Sequence, residues 1–222
     1  MYMNCKIQKS KLNGNITCPS NKSYTHRAIF LAALSDGKSI VKKILRSNDT
    51  LATIHACRGF GIEVEEVENN VTIKNTIDST VQNSMINAEN SGTTIRIAIA
   101  IAALSGGNTL LTGDDSLRKR PMQPILDALK MMGVKTESDA GRPPIRINGK
   151  IKGREIKING DISSQFISAL MIIAPRLPDG LIINVEGNLV SRPYVDLTIA
   201  IMKKFGVEVK TEQEYRKYII SH

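Results

Sequence analysis

The chain has 222 residues, of which 41% are hydrophobic and 23% charged, and it carries a formal net charge of +9. That balance describes a globular chain with room for a substantial core, and it excludes a disordered tail or a low-complexity tract. No apolar run reaches the roughly 20 residues of a membrane span, and the opening Met1-Tyr-Met-Asn-Cys-Lys6 lacks the apolar stretch of a signal peptide, so a cytoplasmic protein without membrane contact is expected.

In chain order, a short strand is expected at 15–18 and a helix over 22–34. Gly37 turns into a strand ending near Ile44, and Asn48-Asp49 caps a second helix that stops at Gly61. A hairpin then joins 62–67 to 71–75. The same order returns from Ser84: a helix over 92–104, a strand over 109–111, a helix over 121–132, and a hairpin joining 134–137 to 145–148 across Gly141-Arg-Pro-Pro144. It returns again near Glu155, with helices over 163–174 and 193–205 and closing strands over 207–210 and 215–220. Pro121 and Pro193 would sit in the first turns of their helices.

The repetition is written in the residues. Leu31-Ala-Ala-Leu-Ser-Asp-Gly37 matches Ile101-Ala-Ala-Leu-Ser-Gly-Gly107, and the helix-closing glycines Gly61, Gly133 and Gly206 stand 72 and 73 residues apart. The first helix of each copy is apolar around much of its circumference, as in Ile97-Ala-Ile-Ala-Ile-Ala-Ala-Leu104, which marks a helix buried inside the domain. The expected fold is therefore α/β: three βαβαββ units, about 13–76, 77–150 and 151–222, in a pseudo-threefold globe with buried helices and outward sheets.

Chemistry gathers at the helix starts. Lys22 opens the first helix, and Ser23 and Arg27, four apart, share one face of it. Asn90-Ser-Gly92-Thr93-Thr-Ile-Arg96 aligns with Asn21-Lys-Ser23-Tyr-Thr-His-Arg27, with a glycine where a ligand can approach the backbone. Arg96 lies on an otherwise apolar helix, so it requires an internal carboxylate or an anionic ligand. Ser163-Ser164-Gln165, Arg118-Lys-Arg120 and Ser191-Arg-Pro-Tyr194 complete the set. Symmetry places these starts at one end, where free N–H groups and cations suit a multiply anionic small molecule.

Nucleic acid is the other anionic partner to weigh against the charge of +9. Basic residues are scattered, as in Lys42-Lys43 and Lys203-Lys204, and with no Trp, four Phe and five Tyr there is no stacking platform. No nucleic acid is expected, and a salt-dependent RNA mobility shift would separate the readings. Cys5, Cys18 and Cys57 are expected to be free thiols, and with His26, His55 and His222 they form no metal-ligand spacing. Neither metal nor other cofactor is expected.

Asn-Lys-Ser-x-Thr-x-Arg, Asn-Ser-Gly-Thr-Thr-x-Arg, Arg-Lys-Arg-Pro-Met, Ser-Ser-Gln-Phe-Ile-Ser-Ala-Leu and Ser-Arg-Pro-Tyr-Val-Asp occur in order between residues 19 and 196. This series resembles the signatures of the 5-enolpyruvylshikimate-3-phosphate (EPSP) synthase family, whose fold is a pair of three-unit globes. The resemblance implies a transferase that moves the enolpyruvyl group of phosphoenolpyruvate to the 5-hydroxyl of shikimate 3-phosphate in aromatic amino acid biosynthesis. It implies that Ser23 and Arg27 hold the shikimate carboxylate, that Ser163, Ser164 and Ser191 hold the 3-phosphate, and that Tyr194 lies against the ring. Lys22, as the catalytic residue, with Gly92, Arg120 and Gln165, would form this half's phosphoenolpyruvate site, shaped by Asn90, Thr93 and Arg96.

Two departures stand out. Ile97 follows Arg96 where the family often has proline. The family also carries a second globe, so this chain resembles an amino-terminal half, inactive alone, whose residues 1–12 belong as a strand segment to the missing globe. Other enolpyruvyl transferases and the RNA 3′-phosphate cyclase are the nearest alternatives. The first would need Lys-Asn and a catalytic cysteine in place of Lys22-Ser23 and Leu117-Arg-Lys-Arg120, and the second a histidine nucleophile with its own signature.

Overall fold

Three stretches rich in Ala, Ile and Leu form the inner helices, because a helix apolar on all sides is stable only where it is covered on all sides. They are α1 (Lys22–Leu34), α3 (Gly92–Ser105) and α5 (Ser164–Ile173), and Ile29, Phe30, Ile99, Phe166 and Leu170 are fully buried along them. The computed structural model describes residues 5, 6, 8–11, 13–75 and 83–222. Each inner helix packs against the other two, and each is paired with an outer helix: α2 (Asn48–Gly59), and the amphipathic α4 (Gln123–Met131) and α6 (Arg192–Lys204).

Three sheets wrap this bundle. The first has the order β1 (Lys38–Val41), β3 (Asn70–Lys74), β2 (Glu63–Val67). The second runs β4 (Asn83–Asn87), β5 (Asn108–Thr112), β7 (Arg142–Asn148), β6 (Lys135–Asp139). The third runs β8 (Glu155–Asn159), β9 (Leu181–Glu186), β11 (Lys217–Ile220), β10 (Val209–Glu212). Their burial alternates residue by residue, as in Arg142–Asn148, so one face meets the helices and the other faces water. The fold is the one expected, α/β units with helices inside and sheets outside.

Several boundaries differ from expectation. The second helix is capped by Ser47, not Asn48: its side chain accepts from the Thr50 N–H while Thr50 bonds back. Pro121 lies outside α4, because a 3-10 turn at Leu117–Lys119 and the residues after it delay the helix to Gln123, and Pro124 occupies the first turn instead. Pro193 falls in the first turn of α6 as expected. The second hairpin turns at Ala140-Gly141, both at positive φ, which frees Arg142, Pro143 and Pro144 to enter β7. Residues 1–4, 7, 12 and 76–82 lie outside the described set, and with them part of the segment 1–12 and the boundary between the first two units.

The strand expected at 15–18 does not form, and Ile16 is 90% exposed. In the other sheets the strand before the inner helix ends five residues ahead of it, Asn87 before Gly92 and Asn159 before Ser164. The same step back from Lys22 reaches Thr17, which sets Ile16 level with Ile86 and Ile158, both buried on edge strands parallel to β5 and β9. Residues 13–17 offer only this one large apolar side chain, too little to hold a strand on a sheet edge. Among the described residues the outer edge of β1 is consequently unpaired. We expect β1 amides to exchange with deuterium faster than those of β5 and β9, read by mass-resolved hydrogen exchange. A core substitution gives the second check: Ile99→Ala, at a fully buried position, should cost ~2–5 kcal/mol in a urea melt.

Candidate functional site

The helix starts meet at one end, and side-chain bonds tie them. On α1, Lys22 Nζ lies 2.6 Å from Asp49 Oδ2 at the start of α2. The third residue of α3, Thr94, bonds Thr53 of α2 at 2.7 Å. Arg96 of α3 donates to Gln165 Oε1 at the start of α5 at 2.7 Å. Arg27 of α1 reaches Ser168 of α5 at 3.2 Å and Thr198 of α6 at 2.7 Å.

Two cationic clusters result. In the first, Gly92 is buried, and a methyl group built on it would stand 2.9 Å from a terminal nitrogen of Arg120 and 3.1 Å from one of Arg96. Both guanidiniums thus close on the backbone at the start of α3. Arg120 donates to Asn90 Oδ1 at 2.8 Å, and Asn90 in turn donates to Asp114 at 2.7 Å. Three bonding groups, led by the Leu117 N–H, hold the Asp114 carboxyl below the usual carboxylate range. Burial and then the neighbouring Arg120 hold the Arg96 pKa below its ordinary value, its Nε has no partner, and its carbon sits 5.1 Å from the Phe166 ring centre. Among the described residues no carboxylate reaches ion-pair distance of Arg96 or Arg120.

The second cluster is built around Arg27, 1% exposed. Its guanidinium donates to Thr198, Ser168 and the carbonyls of Ser23 and Tyr194, and it lies 5.9 Å from the exposed Tyr194 ring. Burial lowers its pKa to about 10, so it stays charged at neutral pH.

Asn90, Gly92, Arg96, Arg120 and Gln165 are joined by direct contacts, as are Ser23, Arg27 and Tyr194, while Lys22 bonds Asp49 and, among the described residues, shares no partner with the first group. Ser163 caps α5, accepting from the Gln165 N–H at 3.3 Å, and Ser164 is buried beside it. Ser191 precedes α6 in the left-handed region, φ 56°, with no cap bond from its side chain, and no direct bond joins it to the serine pair. Thr93 is half-buried in the first turn of α3. Sequence reasoning missed Asp49, Asp114, Ser168 and Thr198. A hydroxyl inside an apolar run, as in Phe166-Ile-Ser168-Ala-Leu, was the available signal for Ser168.

A family model for EPSP synthase (3-phosphoshikimate 1-carboxyvinyltransferase) matches residues 7–221. The chain belongs to the EPSP synthase family. It is 53% identical over 219 residues to the 3-phosphoshikimate 1-carboxyvinyltransferase of Nitrosopumilus maritimus, covering 99% of this chain and 52% of that protein. It is 44% identical over 210 residues to the one from Methanothermobacter thermautotrophicus, covering 93% and 50%. The solved EPSP synthase of Acinetobacter baumannii superposes with a TM-score of 0.78 at 27% identity, over 94% of this chain and 46% of that one. The chain spans about half the length of these relatives. Among its described residues no helix is long and apolar enough to cross a membrane.

Two outcomes follow for this EPSP synthase family chain. Thr198→Val removes the shortest bond to the buried Arg27 guanidinium and should cost ~1.5–3 kcal/mol in a urea melt. His26, buried beside Asp49, Lys22 and Arg27, has its pKa lowered from 6.5 to about 4, chiefly by burial. Below pH 6.5 the unfolded chain binds a proton that the folded chain refuses until about pH 4. Stability should fall by up to about 3 kcal/mol across that window and level off below it, and His26→Asn should remove this component from a pH series of melts.

Proposed function

We propose that this chain is the shikimate-3-phosphate-binding half of an enolpyruvyl transferase, in which the enolpyruvyl group of phosphoenolpyruvate passes to the 5-hydroxyl of shikimate 3-phosphate and phosphate leaves. The observation that carries the reading is Arg96 and Arg120 converging on Gly92 with no carboxylate partner among the described residues. Two like charges held together against their own repulsion are preorganised for an anion, and a carboxylate or phosphate of phosphoenolpyruvate can take N–H donors from both guanidiniums. Gln165 aims Arg96, Asn90 aims Arg120, and Thr93 shapes the first turn.

Shikimate 3-phosphate is assigned to the neighbouring cluster. Its phosphate takes the hydroxyls of Ser163, Ser164 and Ser191 with the free N–H groups of α5, and its ring lies on Tyr194. Its carboxylate takes Ser23 and Arg27, exchanging for the 3.5 Å bond from Arg27 to the Tyr194 carbonyl. Lys22, the catalytic residue of this half in this reading, is held by Asp49 at the start of α1 and serves to neutralise charge and handle a proton.

Residues 13–222 are read as one globe, and 1–12 as belonging to a second globe that the longer relatives carry. One face of the reacting centre is then open to water here, and closure by the second globe supplies the remaining proton-transfer groups. Calorimetric titration with shikimate 3-phosphate tests the binding half of the reading. Ser163→Ala with Ser164→Ala should weaken binding by ~3–6 kcal/mol, two charge-assisted bonds at about 1.5–3 each, whereas unchanged affinity would place the phosphate elsewhere. The purified chain should release no phosphate from the two substrates together, and turnover abolished by Lys22→Ala would overturn the half-enzyme assignment.

A further inference from the structure

Beneath the Lys22–Asp49 pair runs a chain of buried polar groups that none of the proposed substrate contacts uses. His26 Nδ1 lies 2.6 Å from Thr53 Oγ1, which lies 2.7 Å from Thr94 Oγ1. Thr94 Oγ1 lies 2.7 Å from Ser91 Oγ and 3.3 Å from the carbonyl oxygen of Asp49. His26, Thr53, Ser91 and Thr94 are each at most 1% exposed, and His26 Nε2 is buried without a partner.

Counting donors and acceptors gives the chain a direction. Each hydroxyl has one hydrogen and two lone pairs. With the proton on Nδ1, His26 donates to Thr53, Thr53 donates to Thr94, and Thr94 donates to Ser91 Oγ, sharing its hydrogen with the more distant Asp49 carbonyl. Every hydroxyl of the chain then has a partner, and the Nε2 lone pair is the orphan. With the proton on Nε2 the chain reverses, Thr94 no longer donates to Ser91 or to the Asp49 carbonyl, and an N–H is left buried with nothing to bond. A buried orphan N–H is the rarer and costlier of the two defects.

We propose that His26 is a positioning residue: through Thr53 and Thr94 it anchors the backbone of Asp49, whose carboxylate holds Lys22 at the reacting centre. The circuit starts and ends on α1, since Lys22 and His26 are one turn apart on the same helix, and it passes through α2 and α3 on the way. It sets Lys22 on α1 against Gly92 on α3, because Thr94 belongs to the same first turn as Gly92. The charged groups facing the imidazole are Lys22 and Arg27 from α1 and Asp49 from α2. Two of the three are cations, which with burial keeps the imidazole neutral and so keeps the direction of the chain fixed. As a role in this chemistry, the inference rests on the substrate assignment above.

Two measurements separate it from plain packing. Nitrogen-15 spectra of the imidazole in the intact chain should show a neutral ring protonated on Nδ1 throughout pH 5–8. An Nε2-protonated ring would overturn the proposal whether or not any substrate binds. Calorimetry with phosphoenolpyruvate and with shikimate 3-phosphate then compares His26→Leu with His26→Asn, whose amide can donate to Thr53. The Leu variant should lose about tenfold in phosphoenolpyruvate affinity and keep its affinity for shikimate 3-phosphate, with Asn restoring most of the loss. Equal losses for both ligands, no loss for either, or failure of Asn to restore binding would sink it. If the unaltered chain bound neither ligand, the substrate assignment would fall, and the ring spectrum would still decide the direction of the chain.

Discussion

A guanidinium taken out of water must keep its N–H donors occupied, and Arg27, 1% exposed at the centre of one end, imposes that demand on three helices. A carboxylate partner would have met it and cancelled the charge. Here the partners are hydroxyls and carbonyls from α1, α5 and α6, which satisfy the donors and leave the charge standing. The same economy appears at Arg96, where an amide oxygen replaces the carboxylate. Positive potential therefore survives inside the structure, where low dielectric makes it stronger than on a solvated surface. Stability is the quantity sacrificed, since each such group stays desolvated without an ion partner.

The inner helices make this arrangement possible. Their apolar surfaces fill the middle of the bundle, so the buried polar residues on them cluster near the first turns: Thr25, His26 and Arg27 on α1, Ser91 and Thr94 at α3, Ser164 and Ser168 on α5. Because the three helices pack together and their outer partners follow the same symmetry, those first turns converge. A tripled α/β unit therefore brings several helix starts, with their unbonded N–H groups, into one place without any long loop.

Much of this was legible in the residues. The recurring glycines Gly61, Gly133 and Gly206 marked the three units, and the aligned Arg27 and Arg96 marked the two cationic helices. The length of α1 was read to the residue because Asn21 caps it and Ser35-Asp-Gly37 ends it. What escaped was set by tertiary geometry. Nothing local to Asp49 announces Lys22, 27 positions away, and nothing local to Thr198 announces Arg27, 171 positions away. The strand at 15–18 was read from pattern alone, whereas a strand exists only where a neighbour accepts its ladder. Pro121 misled because proline at a helix start is a common rule, and here the rule applied to Pro124.

The bare edge of β1 bears on how the molecule behaves in a crowded solution. Exposed backbone donors and acceptors beside Ile40, itself 58% exposed, form a template on which another chain can add a strand. Lys38, Lys42 and Lys43 are exposed along and just beyond it. Two copies approaching edge to edge would bring these cations together, so repulsion guards the edge that no neighbouring strand covers. Part of the excess positive charge thus serves colloidal stability. That protection depends on ionic strength: it acts over ~10 Å in 0.1 M salt and over about 3 Å at 1 M. Concentrated salt removes the barrier and leaves the edge as adhesive as its backbone makes it.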